Sequence, residues 1–330
     1  MVTEANLSIG LLELEQAAEL VHRIVPATPQ YAWPKLRQRV GCPVWVKHEN
    51  FTPTGAFKVR GGLIYLDRLT RSNPGTRGIV SATRGNHGQS ICFAAARAGV
   101  AATIYVPVGN SPDQNSAMQS FGATVVEFGR DFEEARREAE RAAAEQGLHM
   151  VPSFHRDLVV GVASYALEFF RGAPPLDTVY VSVGMGSGIC GLIAARDVLG
   201  LKADIVGVCA ANAPATAQSF AAGHPLATTS AWTFADGIAT RAPDATAIAT
   251  ICRGAARVVT VSEDEIAAAM CAYFDDTHQL SEGAGAAPLA ALLNERAACR
   301  GRTVGVILSG GNIERARMLQ VLSGITPLAQ

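Results

Sequence analysis

The chain has 330 residues, of which 48% are apolar and 17% charged, with a formal net charge of −1. That length makes one large α/β domain or two closely joined ones, and the apolar fraction is enough to bury a substantial core. A disordered chain is excluded. The absence of a basic surplus speaks against nucleic acid and against an anionic membrane as partners.

Apolar runs rich in β-formers alternate with alanine-rich runs of helical period. In chain order, the pattern predicts a helix over 9–25, a strand over 43–47, a helix over 57–69, a strand over 78–81 and a helix over 88–98. A strand over 102–106, a helix over 111–121, a strand over 124–128 and helices over 132–145 and 158–170 follow. The second half reads as a strand over 179–183, a helix over 188–199, strands over 205–209 and 257–261, helices over 263–277 and 284–294, a strand over 303–308 and a helix over 313–322. Strands of five or six continuously apolar residues, usually separated by helices, indicate mostly parallel twisted sheets covered on both faces. The units at 78–128 suggest a smaller lobe. We therefore expect a two-lobed architecture, with residues 1–75 and 154–330 forming a large domain and 76–153 a small one. No stretch is long and apolar enough to span a bilayer. Residues 1–15 lack the basic-then-apolar pattern of a secretion signal. The dense charge run at 131–138 reads as the solvated face of a helix.

Seven cysteines occur, at 42, 92, 190, 209, 252, 271 and 299, an odd number with no Cys-x-x-Cys pair. They read as reduced thiols in a cytoplasmic protein, not as a disulfide framework or a zinc site.

Four punctuated segments carry the chemistry. The first is Thr54-Gly55-Ala56-Phe57-Lys58-Val59-Arg60-Gly61-Gly62. A turn at 52–55 opens a helix here, placing Lys58 in its first turn, where the helix dipole and burial both favour the neutral amine. A neutral amine can condense with an aldehyde; the guanidinium of nearby Arg60 cannot. The second segment is Thr83-Arg84-Gly85-Asn86-His87-Gly88-Gln89, between a strand and a helix. The third, Gly184-Met185-Gly186-Ser187-Gly188, links a strand to a helix N-terminus, a natural anion site. The fourth is Ser309-Gly310-Gly311-Asn312, after the last strand. The last three follow strand ends, where open parallel sheets bind ligands. Gly186-x-Gly188-x-x-Gly191 also matches a dinucleotide fingerprint, but Ala210-Ala211-Asn212 stand where an acid should close the next strand. A reactive amine, an anion loop and two small polar turns suit pyridoxal phosphate better.

On these segments the chain resembles the tryptophan-synthase-β-like, fold type II family of pyridoxal-phosphate enzymes, and is most similar to its threonine/serine dehydratase and serine racemase branch. The resemblance covers roughly residues 15–325 and extends to Phe234-Ala235-Asp236-Gly237-Ile238-Ala239 and Glu282-Gly283-Ala284-Gly285-Ala286. It implies that Lys58 is the Schiff-base lysine, that Asn86 contacts the cofactor's phenolic oxygen, that Gly184, Met185, Gly186, Ser187 and Gly188 form the phosphate loop, and that Ser309 meets the pyridine nitrogen. It also implies that Thr83, Arg84, Gly85, Asn86 and His87 bind the substrate carboxylate, although His87 can equally be read as an ordinary residue entering the helix.

The expected reaction is β-elimination from a β-hydroxy-α-amino acid such as threonine or serine, giving a 2-oxo acid and ammonia. Lys58 serves as the base for the α-proton. A hydroxyl such as that of Ser309 does not hold a protonated ring as a carboxylate would. That favours prompt loss of a β-substituent over transamination. Dehydration of a bulkier or acidic substrate, such as phenylserine or hydroxyaspartate, and β-replacement remain the alternatives; the Ala-Asp-Gly-Ile-Ala segment weighs against replacement.

Several residues depart from the branch. Arg84 stands where a second small hydroxyl is common, which puts racemisation in doubt, and two readings of it are open: carboxylate recognition and a structural salt bridge. Ala56 stands where serine is common. Cys209 and Pro214-Ala215 occupy the places of divalent-cation ligands, so no metal site is expected. Glu282 is thereby left either to cap the following helix or to lie near the cofactor. The resemblance further implies a homo-oligomer and, with the chain ending at Gln330, an enzyme without an appended regulatory domain.

Overall fold

The computed structural model describes residues 7–329; Met1–Asn6, which the sequence reading assigns to the large domain, and Gln330 lie outside the described residues. Its strands are β1 (Gln30–Ala32), β2 (Val44–His48), β3 (Ile79–Ala82), β4 (Ala102–Val106), β5 (Thr124–Glu127), β6 (His149–Met150), β7 (Thr178–Ser182), β8 (Asp204–Ala210), β9 (Arg257–Val261) and β10 (Val304–Leu308). Its α-helices are α1 (Leu11–His22), α2 (Pro34–Val40), α3 (Lys58–Ser72), α4 (Asn86–Ala98), α5 (Pro112–Ser120), α6 (Phe132–Gln146), α7 (Arg156–Gly172), α8 (Ser187–Val198), α9 (Ala215–Ala222), α10 (Ala245–Gly254), α11 (Glu263–Thr277), α12 (Gly283–Asn294) and α13 (Arg315–Leu322).

Two sheets organise these elements. One has the order β1-β2-β10-β7-β8-β9 and the other β5-β4-β3-β6. Every pairing is parallel except β1 with β2. This is the mostly parallel, helix-covered α/β architecture the periodicity predicts. The continuous apolar runs occupy the central strands; all five residues of β10 are buried. No helix among the described residues is long and apolar enough to cross a membrane.

The elements the sequence reading lacks are the short or edge-lying ones. β1 is three residues long and largely exposed, and β6 is only two residues, too short for a period to register. Helix α2 is seven residues, begun by Pro34 and stopped by left-handed Gly41. Helices α9 and α10 lie in an Ala/Thr-rich stretch, where only the Asp244 side chain, capping the N–H groups of Thr246 and Ala247, marks a start.

Helix α3 is the hub. It packs on α4 and α7, and the approach to α7 depends on Gly161: a Cβ there would lie 2.2 Å from the Arg60 carbonyl oxygen. Arg60, one turn into α3, is fully buried, and its guanidinium is forked onto Glu49 at 2.7 and 3.0 Å. The same group reaches Glu168 of α7 at 2.5 and 3.1 Å, and Lys47 of β2 closes on Glu168 at 2.6 Å. Two cations thus meet two carboxylates inside the core, and Ser164 and Thr28 take up remaining donors and acceptors. Burial pushes the Glu168 carboxyl up, but Arg60 and Lys47 outweigh it and hold the group well below the usual carboxylate range. Removing one member leaves the others charged in a dry interior. Arg60→Ala should lower unfolding stability by about 3–5 kcal/mol in urea titration; a loss under about 1 kcal/mol, the size of an exposed pair, would contradict this account.

Candidate active site

The large sheet places three of the marked segments side by side. Strands β2, β10 and β7 are consecutive neighbours, and their carboxyl ends lead into the lysine turn, Ser309 and the Gly184 loop respectively. The lysine turn is fixed to the end of β10: Ala56 bridges Gly310, and the Phe57 N–H donates to the Ser309 carbonyl at 3.0 Å. Thr52 holds Ala56 through both its N–H and its carbonyl, at 3.0 and 2.8 Å. Ser309 is buried, and its hydroxyl accepts from Ser182 at the end of β7 at 3.4 Å.

Lys58 is the first residue of α3. Its amine is buried and donates to the Ser187 hydroxyl at 3.1 Å, at the first residue of α8. Burial, one of the two causes the sequence suggests, brings its pKa down to about 8. Gly186 precedes α8 in the left-handed region, at φ +101°, where a Cβ would also sit 2.8 Å from the Ala247 methyl. No side chain caps α8, so the N–H groups of its first turn are free to serve an anion. Ser187 and Gly188 belong to the helix and not to the loop; Met185 is half-buried within the loop.

Helix α4 begins at Asn86, two residues earlier than the periodicity predicts, which puts both Asn86 and His87 in its first turn. Thr83 is buried and its hydroxyl is committed to the loop, accepting from the N–H groups of Gly85 and Gly88 at 3.1 and 3.3 Å. The Ser90 hydroxyl of α4 donates to the Lys58 carbonyl at 2.6 Å, joining this segment to the lysine. His87 Nε2 is buried without a hydrogen-bond partner. Burial, with the Lys58 charge adding, takes the His87 pKa down to about 3, so the ring is neutral near pH 7.

Arg84 is half-buried beside Asp236, and among the described residues no salt bridge or hydrogen bond holds it, which leaves the structural salt-bridge reading without a partner there. Asp236 is instead paired with Arg317 at 3.1 Å. Glu282 occupies the N-cap position of α12 but makes no side-chain cap; its carboxyl faces Asn86 Nδ2 at 2.8 and 3.1 Å. Asn312, quoted in the sequence only as the end of a turn, donates to Asn86 Oδ1 at 2.7 Å. Nothing local to the sequence signals these contacts, which join residues 196 and 226 positions apart. Among the described residues no three His, Cys, Asp or Glu side chains come together as a metal-holding group.

A buried neutral-leaning amine next to an uncapped helix N-terminus, at the carboxyl ends of adjacent parallel strands, defines an enzyme built around an aldehyde cofactor with an anionic tail. The family model described as pyridoxal-phosphate dependent enzyme matches residues 21–310. The chain is 37% identical over 279 residues to the L-threonine ammonia-lyase of Geobacter sulfurreducens, covering 84% of this chain and 69% of that one. It is 34% identical over 321 residues to a putative threonine dehydratase of Sinorhizobium fredii, covering 96% of each. Its fold matches the processed form of threonine deaminase isoform 2 from Solanum lycopersicum with a TM-score of 0.88, at 25% identity, over 98% of this chain and 96% of that one. The chain belongs to the pyridoxal-phosphate dependent enzyme family, and its cofactor is pyridoxal 5′-phosphate.

The residues fit that group. One amine lies beside one anion-ready helix end, a buried hydroxyl lies on the neighbouring strand, and an orphaned buried imidazole nitrogen stands in the next segment. Lys58 should therefore titrate early in the cofactor-free protein. In acetic anhydride labelling read by mass spectrometry, its modification should reach half its maximal rate near pH 8. A Lys58 midpoint near about 10.4, the value of a free lysine side chain, would refute the buried amine.

Proposed function

We propose that this chain is a pyridoxal-phosphate-dependent ammonia-lyase that dehydrates and deaminates a β-hydroxy-α-amino acid, with threonine or serine as its default substrate, to a 2-oxo acid and ammonia. The observation that carries the reading is the Lys58 amine, buried and 3.1 Å from Ser187 at the head of α8, in a chain similar over most of its length to an L-threonine ammonia-lyase and a putative threonine dehydratase. When bound, pyridoxal phosphate supplies an electron sink for the charge left at the substrate's α-carbon. The protein's residues then divide the remaining work.

Lys58 would hold the cofactor and, as a free amine, would take the α-proton. Its lowered pKa keeps an appreciable neutral fraction near pH 7 to 8. Gly184, Met185, Gly186, Ser187 and Gly188 bind the phosphate through the loop and the positive end of α8. Ser309 presents a hydroxyl to the ring nitrogen, and Asn86 an amide N–H to the phenolic oxygen. Thr83, Arg84, Gly85, Asn86 and His87, at the opening of α4, bind the substrate carboxylate, with Thr83 holding the loop in shape and the neutral His87 ring offering an unspent nitrogen. This assignment goes with a division into a large cofactor-binding domain, 1–75 and 154–330, and a small substrate-side domain, 76–153.

Two settings complete the proposal. All seven cysteines are free thiols, which supports a reducing, cytoplasmic location. Tyr31 and Phe51, ranged around His48, remain 53% and 54% exposed, which supports burial of this aromatic face in a homo-oligomer.

The test is a panel of β-hydroxy amino acids assayed for ammonia and 2-oxo acid without added thiol. The wild type should release both. Lys58→Ala should lose at least about 10³-fold in turnover and show no pyridoxyl adduct after borohydride trapping; retained turnover would refute the role given to Lys58. A second reading, a substrate with an acidic side chain such as hydroxyaspartate, is favoured by the unpaired guanidinium of Arg84. If it holds, Arg84 serves the side-chain carboxylate in place of the α-carboxylate, and Arg84→Ser should lower kcat/KM for hydroxyaspartate by about 10-fold or more while leaving that for threonine within about 3-fold. Equal losses on both substrates would remove it.

A further inference from the structure

Glu282 has no part in the chemistry above, yet its surroundings are specific. Its carboxyl is turned away from the helix it precedes and onto Asn86, whose Nδ2 lies 2.8 and 3.1 Å from the two oxygens. Asn86 is held from its other end as well, its Oδ1 accepting from Asn312 Nδ2 at 2.7 Å. The same Asn312 nitrogen donates to the Thr54 carbonyl at 2.7 Å, in the turn that presents Lys58. The relay Thr54–Asn312–Asn86–Glu282 therefore joins the lysine turn, the loop beyond β10, the first turn of α4 and the start of α12.

The hydrogen-bonding inventory of Asn86 leaves little freedom. Its oxygen is spent on Asn312, and one of its two amide hydrogens is spent on Glu282. One N–H remains. Turning the amide over would set its oxygen against the Glu282 carboxylate and its nitrogen against the Asn312 nitrogen, breaking both bonds. While Glu282 is ionised, the amide can face only one way.

Protonation removes the Glu282 half of that constraint, while Asn312 still donates to the amide oxygen. A protonated Glu282 keeps one acceptor oxygen and carries an O–H, so it holds the Asn86 N–H less firmly. Burial pushes the Glu282 carboxyl up to about 7; Asn86 opposes this, Asp236 adds to it, and the Asn312 backbone opposes it. The groups acting on it are Asn86 of α4, the Asn312 backbone N–H, and Asp236 of the 3-10 turn Asp236–Ile238, itself flanked by Arg317 and Arg84.

We propose that Glu282 is a positioning residue whose charge holds the Asn86 amide N–H toward the phenolic oxygen of the cofactor. The inference rests on the cofactor reading above and deepens it. With Glu282 ionised, Asn86 is held from both ends and donates to that oxygen. With Glu282 protonated, the amide is held firmly from the Asn312 side alone and cofactor binding weakens. The sign follows: affinity is full on the alkaline side of the Glu282 transition and is lost as pH falls through it.

The experiment measures the dissociation constant of pyridoxal phosphate for cofactor-free wild type, Glu282→Gln and Asn86→Ala by fluorescence, near pH 5.5 and near pH 8.5. Ratios between proteins cancel the ionisation of the cofactor and of Lys58. Wild-type affinity should fall on acidification by about tenfold more than that of Glu282→Gln, the size of one hydrogen bond to an ionised oxygen. Asn86→Ala should lose the extra pH dependence in the same way. The second variant keeps the test decisive should Glu282→Gln fold poorly. Wild type and a folded variant titrating in parallel would overturn the relay while leaving the cofactor reading intact. A wild type that binds no pyridoxal phosphate at either pH would instead overturn the reading on which it rests.

Discussion

Two residues beyond the reactive amine, the helix that carries it is anchored by a guanidinium with no access to water. Arg60 is forked onto Glu49, just past β2, and onto Glu168 of α7, with Lys47 completing the charge balance. Burial alone would pull the Arg60 proton off; the two carboxylates beside it raise its pKa instead, so the cluster stays ionised. Such pairs seldom add net stability over a well-packed apolar core. What they add is uniqueness of arrangement, since a fork of five N–H donors accepts one geometry. Sliding or rotating α3 by one residue would strand four charges. The position of Lys58 is thereby fixed by groups that do not bond to its amine.

From that anchor the site assembles by adjacency. The sheet order sets β2, β10 and β7 next to one another, so the segments leaving their carboxyl ends meet although they stand more than 100 residues apart in the chain. Ala56 bridged to Gly310, and Ser182 bonded to Ser309, are the local seams between these ends. The smaller sheet contributes through α4, whose Ser90 and Asn86 are bonded to the lysine and to Glu282 respectively. The electrostatics follow the same logic: the groups with the largest displacements here, Lys58, His87 and Glu282, are those that leave water, and each is moved towards its neutral form. A pocket of neutral-leaning groups around one helix N-terminus suits an anionic cofactor and a proton that must move between carbon and nitrogen.

Much of this was legible before any fold was known, because the signals are local. Continuous apolar runs identified eight of the ten strands, missing the exposed three-residue β1 and the two-residue β6. Glycines after β7 and a lysine at the opening of α3 pointed to the chemistry, since each property belongs to a few consecutive residues. Two residues stayed open between readings for the same reason. Glu282 stands where a capping residue would, but its carboxyl gains more from Asn86 than from the helix it precedes. Arg84 was open between a salt bridge and a binding role, and the pairing of Asp236 with Arg317 leaves it without the first.

The sequence by itself determined the element types, the mostly parallel sheets and the residue kinds offered at strand ends, because period, turn chemistry and helix-end polarity act over a handful of neighbouring positions. The tertiary structure alone decided which strand ends became neighbours, that Arg60 and not Lys58 took the buried ion pairs, and that Asn312, Asn86 and Glu282 formed one line. Those outcomes depend on strand order, which in a parallel sheet does not follow chain order, and on burial, which is a property of the packed whole.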